Sequence, residues 1–184
     1  DYATLTSKPG LLSSPSSTPN PRIILPHVAV KSLIMLDNTE ACLNKIGTPQ
    51  EDGAFWALRH MHRSDVVDKL IAKTNTSPAS KDKIFQTLAR LMHKEIEYDG
   101  SHHWGGKPDT RGPYYMPQRW DASKKIEDCF KYNFDHVGPH YKRKLRGWAR
   151  LNRMEIPGID IDAAAKKETK PVEKKVADII IEEL

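Results

Sequence analysis

Residues 80–97, SKDKIFQTLARLMHKEIE, contain the clearest secondary-structure signal in this chain of 184 residues. Apolar side chains recur in it with the spacing of a helix that packs one face against a core. Ser80 precedes them and is a favourable N-cap residue. The stretch therefore predicts an amphipathic helix with one face towards the core of an α-helical domain. Its predicted core residues are Ile84, Phe85, Leu88, Leu91, Met92 and Ile96.

Four further helices are predicted from capping residues and apolar spacing. The second of them begins with TPQE, a capping box in which Thr48 is the N-cap and Glu51 occupies N3. Strand alternation is weak and confined to residues 28–36. The fold class is therefore mainly α, a small irregular helical bundle. The four helices cover about residues 37–47, 48–62, 64–73 and 122–136.

Composition divides the chain into a central domain and two arms. Residues 1–36 are predicted to form an extended N-terminal arm, and the Pro, Ser and Thr content of residues 1–22 leaves little apolar surface to offset the entropy of ordering. Residues 37–154 form the helical domain, and residues 155–184 a charged C-terminal extension. Within the domain, residues 98–120 contain four glycines and three prolines, which predicts a long Gly/Pro/aromatic loop.

Positive charge is concentrated in one segment. The chain carries a net charge of +5, and residues 137–154 alone contain six basic residues and no acidic one. The spacing of Leu145, Trp148, Leu151 and Met154 predicts a basic helix over residues 140–154 with these side chains on its packed face. Such a helix suits a polyanion, above all the phosphates of structured RNA. The cations on the rest of its circumference are Lys142, Arg143, Lys144, Arg146, Arg150 and Arg153.

Two other interpretations of the basic helix stay open. One is a solvated face that acidic residues elsewhere in the fold balance. The other is a contact with acidic lipid headgroups or with an acidic protein. Gly147, in the middle of the helix, weakens it by about 1 kcal/mol, and we interpret it as the mark of a close backbone approach.

The loop interleaves aromatic and basic side chains. Aromatic rings among cations can stack on unpaired bases, at about 1–3 kcal/mol per base. The alternative is that the rings cover the hydrophobic underside of the loop or a neighbouring protein. The side chains concerned are Trp104, Tyr114, Tyr115, Trp120, Lys107, Arg111 and Arg119.

Signatures of metal sites and enzymes are weak. Eight histidines occur, some in HMH and SHHW, but Cys42 and Cys129 are isolated and no HExxH or glycine-rich phosphate loop is present. We therefore expect no catalytic residues, metal or cofactor. The two cysteines are expected to be buried free thiols in a reducing intracellular compartment. The longest apolar run, residues 23–36, is interrupted and too short to span a bilayer.

Together these features predict a non-enzymatic structural component of a large ribonucleoprotein assembly, in contact with RNA and neighbouring protein subunits. In its arms and charge the chain resembles ribosomal proteins in general, and accessory proteins of organellar ribosomes in particular. Residues 2–36 lack acidic residues and are rich in Ser, as organelle import segments are, which favours the mitochondrion. The alternative is a soluble accessory subunit of a membrane-bound mitochondrial respiratory or ATP-synthase complex. A nucleic-acid-processing enzyme, or a cofactor of one, is a third reading.

Overall fold

The computed structural model describes residues 21–97, 100 and 113–162, with side chains from residue 24 onward, and this part of the chain is mainly α-helical, as predicted. A 3₁₀ turn, Pro78–Ser80, leads into the fifth helix. The strands β1 (Lys94–Glu95) and β2 (Pro117–Gln118) pair antiparallel at the base of the loop. The helices are α1 Pro21–Met35, α2 Thr39–Leu43, α3 Glu51–Leu58, α4 Ser64–Thr76, α5 Lys81–Leu91, α6 Ser123–His136 and α7 Pro139–Leu151.

The helices pack in two series with α5 at the centre. In the first series, α1 contacts α3, α3 contacts α5, and α5 contacts α7. In the second, α4 contacts α6. Because α5 touches α3, α4, α6 and α7, its whole apolar stripe from Ile84 to Met92 is inaccessible to solvent. The predicted core helix is therefore confirmed. Ile96, beyond the end of α5, is half-buried.

Phe85 joins α5 to the last two helices. Its fully buried ring lies edge-on to Phe130 of α6, with 5.2 Å between the ring centroids. It also contacts Tyr141 and Trp148 of α7, at 6.1 and 6.4 Å. This aromatic cluster sets the position of α7, the helix with the basic residues.

The N-terminal arm differs from the prediction. Residues 21–35 are helical rather than extended, although Pro26 lies inside the helix and removes one backbone hydrogen bond. The helix buries Val30 and packs Leu33 and Ile34 against the core. The burial of this apolar surface stabilises the helix, and local helix propensity does not reveal it. The weak strand pattern at residues 28–36 was therefore misleading. Residues 1–20 lie outside the described part.

The C-terminal boundary also differs. Helix α7 ends at Leu151, Arg153 adopts a left-handed φ of 52°, and the Met154 amide donates to the Ala149 carbonyl at 2.9 Å. This turn directs Met154 and Ile156 into the core, so the helical domain extends past residue 154. The rest of the predicted extension, residues 163–184, is outside the described residues.

Two predicted helix caps differ from the expected geometry, and the Glu51 carboxylate contacts the segments around both. Helix α3 begins at Glu51 rather than after Thr48, and the Glu51 side chain accepts a hydrogen bond from the Gly47 amide at 2.9 Å. Gly47 permits this turn because its φ is +84°. Ser80 is the N-cap of α5 by position, yet its hydroxyl donates to Glu51 at 2.7 Å and makes no cap hydrogen bond.

Candidate nucleic-acid interface

Helix α7 directs one face inward and leaves the opposite face open. Leu145 and Ala149, one turn apart, are buried, and Trp148 packs beside them. Leu151 was expected on the packed face but is 64% exposed. Six residues beyond Leu145, it lies about 120° around the helix from it. Ala149 takes its place against the core.

Three of the predicted cations are engaged by the fold itself. Lys144 Nζ lies 2.6 Å from Asp82 Oδ2 on α5. The Arg146 guanidinium carbon lies 4.8 Å from the centroid of the Phe134 ring, and its Nε donates to the Asp160 carbonyl at 3.1 Å. Lys142 Nζ lies 5.1 Å from the same ring. These contacts hold α7 in place and reduce the charge available to a ligand.

Arg143 and Arg150 form the open cationic face of α7. Both side chains are exposed, and no carboxylate of the described residues forms an ion pair with either. They are two helical turns apart on one face, about 10 Å along the axis. Apart from its own helix, no atom lies within 4 Å of the position that a Cβ of Gly147 would take. No described residue therefore makes the close approach expected at Gly147, and the surface between the two arginines is flat.

Acidic residues face the C-terminal end of α7. An open groove of about 730 Å³ runs between this end and residues 154–162, lined by Arg150 and Arg153 and by three carboxylates. The positive field is therefore partly offset at this end and strongest around Arg143. The carboxylates are those of Glu155, Asp160 and Asp162.

Arg119, a predicted nucleic-acid contact, forms an ion pair with a carboxylate of α6. Its Nη2 donates to Glu127 Oε2 at 2.6 Å, and Lys124 Nζ donates to the other oxygen at 2.8 Å. Lys124 and then Arg119 lower the pKa of this buried carboxyl group. Arg119 is thus the partner of a buried charge.

The described aromatic residues of the loop cover the end of α5. Tyr114 is 9% exposed, and the Arg90 guanidinium lies over its ring at 4.2 Å. Trp120 Nε1 donates to the Leu91 carbonyl at 2.7 Å. The buried Tyr114 ring is not available to stack on a base, so the alternative that the rings cover the underside of the loop holds for it, whereas Trp120 is half-buried. Tyr115 is half-buried, and its amide donates to Glu95 at 2.7 Å.

The other predicted loop contacts, Trp104, Lys107 and Arg111, fall outside the described residues. Within the described ranges, no three His, Cys, Asp or Glu side chains gather as metal ligands would. Cys42 and Cys129 are buried free thiols, as expected. None of the described helices combines the length and apolar character needed to cross a membrane.

Sequence reasoning missed a second group of cations, Arg59, His60 and Arg90. Arg59 and His60 directly follow α3, whereas Arg90 lies on α5 about 30 residues further along the chain, and the neutral overall charge of residues 37–136 conceals the group. Only the packing of α3 against α5 brings them together.

No protein-family model matches this chain, and searches of curated proteins and of solved structures found no match either.

Proposed function

We propose that this chain is a non-enzymatic structural component of a ribonucleoprotein assembly, and that the open cationic face of α7 contacts RNA phosphates. The main support is that Arg143 and Arg150 are exposed, with no ion-pair partner among the described residues. Guanidinium groups bind phosphate oxygens in pairs, and the release of counterions from RNA supplies affinity without base recognition.

The surroundings of this face favour contact with a backbone rather than with bases. Lys144 and Arg146 fix α7 through Asp82 and Phe134, so the exposed arginines extend from a helix that is held in place. Gly147 leaves room for a phosphate chain to approach the helix between them. Base stacking has no support from Tyr114, which is buried, and Trp120 is half-buried with its Nε1 bonded to the Leu91 carbonyl.

A second surface supports membership of an assembly. Helix α1 and the residue after it expose several large apolar side chains, and Met35 is 85% exposed. Apolar side chains grouped in this way mark surfaces that bind another protein. An accessory protein of an organellar ribosome, with RNA on α7 and a protein neighbour on α1, is the specific form of the proposal. The apolar residues are Ile24, Leu25, Val28, Met35 and Leu36.

The same apolar surface also favours the alternative function. An accessory subunit of a membrane-bound mitochondrial complex would use α1 to contact a hydrophobic subunit, and α7 to contact acidic headgroups. The two proposals differ in whether RNA holds the chain in its assembly.

Ribonuclease treatment of the native particle separates the two. The full-length tagged protein is recovered from cell extract after mild detergent and sedimented with and without ribonuclease. We expect it to move from fast to slow fractions after treatment and to co-purify with RNA beforehand. Retention in a detergent-released complex that ribonuclease leaves intact would reject the ribonucleoprotein proposal and support the alternative.

A further inference from the structure

A second cationic cluster, Arg59, His60 and Arg90, lies where α3 packs against α5. Arg59 directly follows α3, and its Nη2 donates to Gln86 Oε1 on α5 at 3.3 Å. Arg90 is four residues beyond Gln86 and so lies on the same face of α5. The contact with Gln86 thus brings the Arg59 side chain to the face of α5 that carries Arg90, near enough for the Arg90 charge to act on it, and His60 is next to Arg59 in the chain.

Tyr114 holds Arg90 in a fixed orientation. The guanidinium carbon lies 4.2 Å from the centroid of the Tyr114 ring. The Tyr114 hydroxyl donates to the Arg90 carbonyl at 3.1 Å and lies 2.9 Å from His62 Nε2. The ring therefore covers one face of the guanidinium and leaves its edge as the remaining binding surface.

Both arginines have donors that the described chain does not satisfy. Arg59 Nε and Arg90 Nη1 are inaccessible to solvent, and neither has a hydrogen-bond acceptor among the described residues. Unsatisfied buried donors on charged groups are costly and are rare in native proteins. A missing acceptor is the simplest explanation for two of them in one cluster.

No carboxylate of the described residues neutralises the cluster. Asp52, whose charge acts on Arg59, lies 2.6 Å from Lys83 Nζ, and Glu95 accepts two backbone amides of the loop. Burial, followed by the charge of Arg90, lowers the pKa of Arg59. Burial and then both arginines lower the pKa of His60. The two arginines therefore repel each other with little compensation, and His60 is neutral near pH 7.

We propose that this cluster binds an oxyanion, a phosphate or carboxylate group, between Arg59 and Arg90 with His60 at its edge. Two adjacent guanidinium groups offer paired N–H donors that match the oxygen atoms of either group. The bound oxyanion accepts from the accessible N–H groups of the two half-buried arginines and reduces the repulsion between them. The site is independent of α7 and does not require RNA.

The test is a titration of the full-length protein, with the arginine side-chain Nε–Hε signals followed by nuclear magnetic resonance. Inorganic phosphate and acetate are added in separate experiments, each against sodium chloride at equal ionic strength. We expect saturable shifts of the Arg59 and Arg90 signals with at least one of the two anions and none with chloride. The anion that binds more tightly identifies the preferred group.

Variants complete the test. R59Q removes the guanidinium and leaves a shorter, uncharged polar side chain, and it should weaken binding at least about tenfold. R59K keeps the charge but loses the paired donors, and it should also bind more weakly than wild type. K131Q removes an exposed lysine of α6 as the matched control and should bind as wild type does. Absence of saturable shifts in the wild-type protein, or equal weakening by K131Q, would overturn the proposal.

Discussion

Lys83 Nζ lies 2.6 Å from Glu51 Oε1 and joins the first turn of α5 to the start of α3. The same carboxylate accepts hydrogen bonds from the Ser80 hydroxyl and the Gly47 amide. Lys83, then Ser80 and Gly47, lower the pKa of Glu51 to about 2. One side chain thus connects three segments of the core.

Acid should weaken this connection. The pKa of Glu51 is lower in the folded chain than the value of about 4.3 expected for an unfolded one. The stability that it contributes is therefore present above about pH 4.3 and is lost as the pH falls towards 2. We expect E51Q to lower the free energy of unfolding by about 1–2 kcal/mol at pH 7, and by much less near pH 2.

Urea denaturation at both pH values measures this difference. E40Q is the control, because Glu40 is exposed and its ion pair with Lys69 lies at the surface. An effect of E51Q that is the same at pH 7 and pH 2 would refute this role for the carboxylate.

Phe85 should be among the most sensitive core positions. The ring is fully buried between Phe130 and Trp148, so F85A leaves a cavity and should lower the free energy of unfolding by about 3–5 kcal/mol. Tryptophan fluorescence should also change, because Trp148 loses a neighbour. Y132A is the control, since Tyr132 is 60% exposed. A loss below 1 kcal/mol for F85A would show that α7 does not pack as described.

Both cysteines should be unreactive in the native protein. Burial raises the pKa of the Cys129 thiol to about 11 and also raises that of Cys42. Thiolate is the reactive form, so a colorimetric disulfide reagent at pH 8 should label neither thiol within minutes and both in denaturant. Fast labelling of the folded protein would indicate that the core opens.

Gly147 should tolerate a side chain. No described atom beyond its own helix occupies the space of a Cβ, so G147A should raise the free energy of unfolding by about 0.5–1 kcal/mol. G47A is the contrasting variant, because the φ of +84° at Gly47 strains any other residue. It should lower the stability. A lower free energy of unfolding for G147A would show that another part of the chain contacts α7 at Gly147.

The helices that the sequence predicted well are those whose apolar spacing and flanking residues identify them without knowledge of the tertiary contacts. The apolar stripe of α5 follows from spacing alone, and α6 likewise begins within a residue of its expected start. Helix α1 was missed because Pro26 and an almost uniformly apolar sequence conceal its periodicity. Only the contact of α1 with α3 shows why it is helical.

The sequence predicted which basic and aromatic residues belong to the candidate site, but not which residues they contact. Six cations within residues 137–154 are visible in the sequence, yet the partners of those that the fold engages are distant: Asp82 is 62 residues from Lys144. Tyr114 was chosen as a stacking ring, but its hydroxyl contacts His62, 52 residues away, inside the fold. Such pairings depend on how the helices pack, which local patterns do not encode.

RNA binding by R143E/R150E tests the central claim most directly. Affinity of the full-length protein for a structured RNA is measured over a range of salt concentrations, with K31E/K131E as a control of equal charge on two exposed lysines away from α7. We expect R143E/R150E to bind at least about tenfold more weakly near 0.1 M salt, and to reduce the slope of log affinity against log salt by about 1.5. The control should keep most of the affinity. Equal binding by R143E/R150E and the wild-type protein, or an equal loss in both double variants, would contradict a role for α7 in contacting RNA.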